Sequence, residues 1–539
     1  MTRALTCVAA PALALALAAP AAAPAATSPS AAPRALDAAP MELPPASNAR
    51  AASVARDWLL GARPTAAAAR LARAHGARRL LVPGAWSVPS GSAAPLAAAL
   101  RRRGLLTWAQ ADRRLRRASA FEGADVDNRW QPRDVVVAAG LVPPAKGAAI
   151  GIVDDLVDTS VPDVAQTRRL NASKAPVKGE HGTAVASVAG GIQDGRGVVG
   201  IMPGAPLLSY GLKDDTCEEV SDGVVALAAK GARIVNLSLA TTDDCFLLQL
   251  ATAVAFATDT LVVAASGNEF ANGNPVVYPA AYPHVLSVGA VDETLQPTFF
   301  STSNAAVDLA APGQNIPVAI PPSFDFRDGV RNGLTREDGT SFAAPIVAGV
   351  ASWLLGVRPK LDPGQLGDIL RHSARDLGAA GYDSETGFGL VDLAKALQTP
   401  AGPVDPFEPN DGIPYVSGLI FQKPDPYVWR GGRTRTIKAS VDPVEDPIDV
   451  YRIRLPARKR AAIRLTPSAG NVDLYVYDQK AKNLKGRALT RSSLAAGRTD
   501  RVRVRNRRKT ARTAYVVVKA PSLRDRPFDA RYTLRIARG

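Results

Sequence analysis

Cysteine is scarce in this chain, three among 539 residues. Cys7 falls in an apolar leader, so Cys217 and Cys245 are the single pair left to form a bridge, and a fold stapled by several disulfides is excluded. Long apolar runs are missing after the leader, which argues against a membrane span in the mature chain. Aromatic residues make up 6%, and none interrupts the most basic run, RVRVRNRRK at 501–509. Without rings to stack on bases, that run does not read as a nucleic-acid platform. Histidine numbers four and no complete calcium loop is present, so no metal site is assigned from sequence. Structural calcium stays open, with Asp449 and Asp473 read either as ligands or as ordinary solvated carboxylates at strand ends.

What is present divides the chain into unlike parts. Arg3 precedes an apolar stretch at 4–19, followed by Ala21-Ala22-Ala23 and Ala25-Ala26, the pattern of a secretory signal over 1–26. An uncleaved anchor is the other reading, but Pro11 and Pro20 break the stretch. Residues 27–50 read as a disordered Ala/Pro/Ser-rich linker. The formal charge of +16 is unevenly placed: 18 Lys+Arg against 8 Asp+Glu in residues 1–145, 17 against 28 in 146–400, and 30 against 13 in 401–539. An acidic middle is flanked by two basic ends. The first end is suited to electrostatic steering onto the middle. The last is suited to an anionic surface such as a cell-wall polymer, or is a solvated β-face. Export places Cys217 and Cys245 in an oxidising compartment, in what read as polar loops, TCEEV and DDCFLL. Bridging them closes a loop of about 28 residues, worth roughly 3–4 kcal/mol on the chain-entropy argument; two free thiols are the alternative, less suited to exposed loops.

Four fragments of the middle segment carry chemistry. AIGIVDD reads as a buried strand with Asp154 at its carboxyl end, where open α/β sheets place their reacting groups. HGTAVASVAGG opens a closely packed helix with His181. GTSFAAP places Ser341 at another helix start, where Pro345 is tolerated in the first turn. LVVAASGN is a further buried strand ending in Asn268. A serine hydroxyl needs a base within reach, and the imidazole needs a carboxylate to hold its tautomer. Singly, each residue also fits a helix or strand cap; jointly, in the order Asp, His, Ser, they resemble the subtilisin-like serine proteases, the subtilase family. Val161-Pro162-Asp163-Val164, the GARIVNLSLA strand, YPAAYPHVLSVGAVD, DLAAPGQNI and YDSETGFGLVDLAKAL extend the resemblance over about 146–397. It implies a secreted endopeptidase with peptide or protein substrates and no cofactor for its chemistry. It also implies Asp154, His181 and Ser341 as triad, Asn268 with the Ser341 N–H as oxyanion donors, and Ser238, Leu239, Ala240, Ala265, Ser266 and Gly267 lining the substrate cleft.

There are departures. Asp155 and Leu156 follow the aspartate where the family has Thr or Ser and then Gly. Asp155 either raises the basicity of His181 or, by alternation along the strand, points to solvent; the second reading is the simpler. Ala240 replaces a more common Gly, which narrows the pocket toward small or medium apolar residues. Phe270 stands where a small residue is usual. These departures support a competing class, a catalytically silent subtilase-fold binding or adhesion protein. His75, His284 and His372 lack comparable surroundings and read as ordinary residues.

The flanks complete the expected architecture. Residues 51–125 alternate helix (64–79), strand (85–88), helix (93–103) and strand (105–109), and resemble an inhibitory prosegment whose tail, 113–126, carries the cut. DNRW at 127–130 resembles a mature amino terminus. After the catalytic segment 126–399 and a Pro-rich linker at 400–410, residues 411–539 show period-two strands at 450–455, 462–465, 472–477, 514–518 and 532–536. With FEPND and NVDLYVYD they resemble the bacterial pre-peptidase carboxyl-terminal domain. The expected fold is therefore a doubly wound, mostly parallel α/β sheet, preceded by a small α+β prosegment and followed by an antiparallel β-sandwich.

Overall fold

The computed structural model describes residues 40–44, 57–117, 121–122, 132–138, 140–171, 177–326, 330–402, 404–421, 423–442, 446–484, 486–492, 497–520 and 530–539. The signal at 1–26, most of the linker at 27–50 and the DNRW segment lie outside them.

Seven parallel strands form the central sheet, in the order Leu309–Pro312, Val285–Val291, Leu261–Ala265, Ile234–Leu237, Ile150–Asp154, Leu207–Gly211 and Arg168–Arg169. Their apolar continuity follows from burial on both faces. Chain order runs outward from Ile150–Asp154 to Leu207–Gly211, then crosses back to Ile234–Leu237. The switch therefore lies beside Asp154, where strand ends leave a crevice. The helix Thr340–Val357 packs beneath the sheet and is buried nearly all round. By length and mean hydropathy it also passes as a membrane-crossing helix, which corrects the expectation that no such run follows the leader; 89% of it is buried inside the protein.

The amino-terminal unit is a four-stranded sheet, ordered Arg78–Arg79, Ala85–Pro89, Asp57–Ala62, Leu106–Ala111, with two helices on one face. The expected helix at 64–79 is shorter: Thr65 caps Ala66–Ala74 by accepting the Ala68 N–H at 3.1 Å. Gly76, at φ +70°, then turns the chain so that Arg78–Arg79 becomes an edge strand. The strand Asp57–Ala62 has no sequence counterpart in our reading. Residues 40–42 run alongside Ala109, with Glu42 N–H donating to Ala109 O at 3.0 Å, so that part of the supposed linker is ordered.

This unit docks on the helices Cys217–Ala229 and Phe246–Ala257. Trp108 meets Phe246 edge-on at 5.4 Å. Arg78 pairs with Glu218 and Asp222, Arg113 with Asp243 at 2.7 Å, and Arg114 with Asp214 at 3.3 Å. The basic end thus lies on acidic groups of the middle domain.

The carboxyl-terminal unit has two four-stranded antiparallel sheets. One runs Arg435–Val441, Ala530–Arg538, Arg460–Pro467, Asp500–Arg505; the other runs Ile448–Leu455, Arg512–Lys519, Asp473–Asp478, Thr490–Ser492. Their inward residues share one core around Tyr451, Ile463, Val516 and Leu534. The segment 404–411 is not a solvated tether: Asn410 and Asp411 are fully buried against the catalytic domain and the sandwich.

Asp112 supplies a pH dependence for the amino-terminal docking. Its Oδ1 accepts the Glu218 N–H at 3.0 Å, and burial, then the charges of Asp57 and Glu219, raise its carboxyl from 3.8 to about 7. The docked unit therefore favours the neutral form, whereas the undocked carboxyl ionises near its ordinary value. The Asp112 contribution to docking should be greatest below about pH 4, weaken by up to ~10-fold per pH unit as pH rises to about 7, and then level off. Hydrogen exchange in 106–111 of the full chain, corrected for the intrinsic rate, measures this. Asp112→Asn should flatten the profile.

Candidate active site

Asp154 ends an otherwise apolar strand and is fully buried. Its oxygens lie 2.9 and 2.8 Å from His181 Nδ1, and Oδ1 also accepts the Asp155 N–H at 2.6 Å. A carboxylate here favours the tautomer with the proton on Nδ1, leaving Nε2 basic. His181 Nε2 is buried and has no hydrogen-bond partner among the described residues. Phe342 packs against the ring at 5.6 Å.

The pairing depends on a close approach. The helix His181–Gly190 starts so near the strand end that a Cβ on Gly182 would fall 2.0 Å from Asp155 O. One on Gly179 would fall 1.9 Å from Asp155 Oδ2. Asp155 is therefore tucked under the helix entry, 5% exposed, and does not point to solvent as alternation suggested. The strand ends at Asp154, so period-two alternation no longer applies one residue on.

Ser341 is the second residue of the helix Thr340–Val357 and follows Gly339, whose φ of 149° favours glycine. Its Oγ donates to Ser238 O at 3.2 Å, and its carbonyl accepts Ser238 Oγ–H at 2.7 Å. The hydroxyl and His181 Nε2 are not hydrogen-bonded to each other; such bonds commonly tighten only with substrate in place. Asn268 Oδ1 accepts both the N–H and the hydroxyl of Thr340, at 3.1 and 3.0 Å. These bonds fix the amide plane and leave its NH2 on the side away from Thr340. Thr340, the middle residue of Gly-Thr-Ser, is thus a positioning residue that sequence reading passed over.

Ser238 also takes a hydrogen bond from Asn236 Nδ2 at 2.9 Å, anchoring the turn before Leu239–Ala240. Across the cleft, Ala265 ends its strand, Ser266 N–H donates to Val288 O at 2.9 Å, and Gly267, at φ +96°, is held by Thr302 N–H at 2.9 Å. Leu239–Ala240 pairs antiparallel with Arg117 and Arg116. Beyond Ser341's helix entry, Glu337 and Asp338 pair with Glu122 and Phe121. Two short pieces of the chain itself, 116–117 and 121–122, thus pair in strand register with the segments that flank the cleft. Phe270 opens a short 3-10 turn and is 44% exposed; nothing in the structure explains its size.

Cys217 and Cys245 are bridged, but not in exposed loops. Both are fully buried at the starts of their helices, because the amino-terminal unit covers them. Gln110 Nε2 lies 3.7 and 3.6 Å from the two sulfurs, and its Oε1 accepts the Phe246 N–H at 2.9 Å.

Comparison with known proteins shows the family. The profile of the Subtilase family matches residues 145–389. Subtilisin DY of Bacillus licheniformis is 31% identical over 271 residues, 47% of this chain and 92% of its own. Fervidolysin of Fervidobacterium pennivorans is 30% identical over 340 residues, 54% of this chain and 48% of its own. The minor extracellular protease Epr of Bacillus subtilis is 36% identical over 215 residues, 39% of this chain and 32% of its own. The crystal structure of fervidolysin, described as a keratinolytic enzyme related to subtilisin, superposes with a TM-score of 0.57 at 17% identity, covering 88% of this chain and 89% of that one, a likeness of fold. The chain belongs to the subtilase family. It spans less than half the length of several longer curated relatives, 32–48%.

The close approach yields a test. Gly182→Ala must push the helix from the strand, because the clash is with backbone. We expect a loss of roughly 1–3 kcal/mol in stability and, from misplacement of the imidazole, about a 10²-fold loss of turnover on a chromogenic peptide.

Proposed function

We propose that this chain is a secreted serine endopeptidase made as a self-inhibited precursor. The observation that carries the reading is the buried Asp154–His181 pair at the same sheet edge as Ser341 and Asn268. Ser341 Oγ attacks the scissile carbonyl as His181 Nε2 takes its proton. The tetrahedral oxygen is stabilised by the Asn268 NH2 and the Ser341 N–H, an arrangement in which each donor is worth roughly 10²–10³ in turnover. Collapse expels the amine, which receives the proton from His181, and water releases the acyl group by the same steps in reverse. Asp154 orients the imidazole and stabilises its charged form. No cofactor is needed for these steps.

The self-inhibition reading rests on the occupied cleft. Arg116–Arg117 pairs with Leu239–Ala240, and Phe121–Glu122 pairs with Glu337–Asp338, which leads into the Ser341 helix. The peptide bonds joining residues 117 and 121 are therefore the natural first substrate. They involve Ala118, Ser119 and Ala120, small side chains suited to a pocket narrowed by Ala240. A fluorophosphonate probe should label the mature protein at Ser341, and mass spectrometry should find a new amino terminus at 118–121, absent from Ser341→Ala. An unlabelled, uncut chain would support the silent binding protein instead.

The carboxyl-terminal sandwich is proposed to hold the enzyme at an anionic cell-surface polymer. On one sheet the outward face carries Lys438, Arg460, Arg464, Arg501, Arg503, Arg505, Arg531 and Arg535, all exposed, and these strands present no outward Asp or Glu. Arg464 stands directly opposite Arg501 on one neighbour and Arg535 on the other. Like charges so placed are destabilising by a few tenths of a kcal/mol to about 1 kcal/mol per pair. Arg464→Gln should therefore raise Tm slightly while reducing retention on immobilised poly(glycerol phosphate) at low salt. Unchanged retention removes the binding role.

A further inference from the structure

The amino-terminal unit meets the catalytic domain at the starts of two helices, Cys217–Ala229 and Phe246–Ala257. A helix start leaves its first backbone N–H groups without helical partners. Gln110 Oε1 accepts the N–H of Phe246 at 2.9 Å, and Asp112 Oδ1 accepts that of Glu218 at 3.0 Å. Beside them Cys217 N–H donates to Arg113 O, and Leu115 N–H to Asp215 O at 2.7 Å. Gln110 and Asp112 are two residues apart at the end of one strand, where Asp112 N–H still donates to Asp57 O at 3.1 Å. An extended chain sets such residues roughly 6.4–6.8 Å apart. To meet both acceptors, the two helix starts must stand at a matching interval.

A covalent bond sets that interval. Cys217 is the first residue of one helix, and Cys245 caps the other, its sulfur accepting the Leu248 N–H at 3.3 Å. Their bridge holds the two Cα atoms 6.4 Å apart. The two starts are otherwise held unequally. Cys245 is tied to the buried Tyr282, whose hydroxyl accepts its N–H at 2.7 Å and lies 2.9 Å from its carbonyl oxygen. Cys217 and Glu218 instead give their N–H groups to the amino-terminal unit. Through the bridge, the first start is tied to the anchored second. The unit in turn covers the bridge: Gln110 Nε2 lies 3.7 and 3.6 Å from the two sulfurs, and Trp108 packs on Phe246 next to Cys245.

We propose that the Cys217–Cys245 disulfide is part of the surface that recognises the amino-terminal unit: it presets two helix-start donors at the spacing of two acceptors on one extended segment. The inference rests on the self-inhibited precursor proposed above. The partner this surface fits is an extended chain with acceptors at positions i and i+2, here Gln110 and Asp112. Fixing the spacing beforehand removes an ordering cost that docking would otherwise carry. The coupling is reciprocal. The bridge strengthens docking, and docking withholds the sulfurs from thiols, which attack only a sulfur they can reach. A dithiol that does reach the bridge breaks the S–S bond and supplies two electrons and two protons; two cysteine thiols form, and the dithiol closes as its own disulfide. The reduced chain then docks its amino-terminal unit more weakly.

The test uses the full chain carrying Ser341→Ala, so that it stays whole, and follows hydrogen exchange in 106–111, corrected for intrinsic rates. Reducing the folded chain with dithiothreitol should speed that exchange about 10-fold. Cys217→Ser/Cys245→Ser should do the same without reductant; should that variant fail to fold, the reduced chain carries the measurement. Gln110→Ala separates recognition from a general loss of stability. With the bridge intact it should speed exchange about 10-fold; with the bridge open its effect should fall below about 3-fold, because the donor it served is no longer preset. Gln110→Ala should also let dithiothreitol open the bridge roughly 10-fold faster, counted by mass after alkylation. Exchange in 106–111 indifferent to the bridge, a Gln110→Ala effect equal in both states, or a reduction rate unmoved by Gln110→Ala would each overturn the proposal. None of these readouts requires cleavage, so a wild-type chain left uncut at 118–121 would sink the self-inhibition reading alone.

Discussion

The structure depends on a helix entry brought to backbone contact with a strand end. Asp154 and His181 can bond only because the chain around residues 179–182 has no side-chain bulk where it crosses Asp155. That contact sits at the switch point of the parallel sheet, so the imidazole opens onto the crevice where Ser238 and the Ser341 helix also end. The requirement for small residues then spreads. Gly349, in the middle of the Ser341 helix, would place a Cβ 2.8 Å from Ala189 O, so the helices that carry His181 and Ser341 also touch at their backbones. The alanine- and glycine-rich composition of both helices is the sequence form of this constraint, and it limits what can change near the site more tightly than the chemistry does.

Much of this was legible because it is local. The parallel strands announced themselves as apolar runs bounded by polar or glycine residues, and the residues expected to do chemistry all fell at their carboxyl ends or at helix starts. What was not legible depends on one part of the chain covering another. Cys217 and Cys245 looked exposed because their neighbours are polar; they are buried because Gln110 and Trp108 lie over them. The segment at 400–410 looked like a tether because it is rich in proline and acid; His284, about 120 residues earlier, gives those acids a place to be buried. Asp155 was misjudged for a smaller reason, since alternation was carried one residue past the end of its strand.

The three parts are also bound more tightly than their sequence boundaries suggest. A single apolar cluster runs from Leu59 and Trp108 of the amino-terminal unit, through Val220 and Leu247 of the two surface helices, to Tyr415, Val450 and Val517 of the sandwich. The two surface helices are its centre, and the disulfide joins their first turns. Apolar burial is non-directional and would tolerate some sliding of one unit on another. The ion pairs at the edges supply the register, with Arg78 and Arg113 on one side of the helices and His284 at the catalytic end of the sandwich contact.

Charge is arranged so that each contact has a different sensitivity. The amino-terminal contact is exposed in part, pairs arginines with surface carboxylates and includes one neutralised acid, so its ion pairs weaken with salt and its Asp112 contribution weakens with rising pH. The sandwich contact is buried, with carboxylates in excess over cations, so salt screens it little. This asymmetry suits the proposed precursor, which would shed its amino-terminal unit and keep its carboxyl-terminal one. The first contact adds partly exposed ion pairs to its apolar burial, whereas the second buries most of its charged groups.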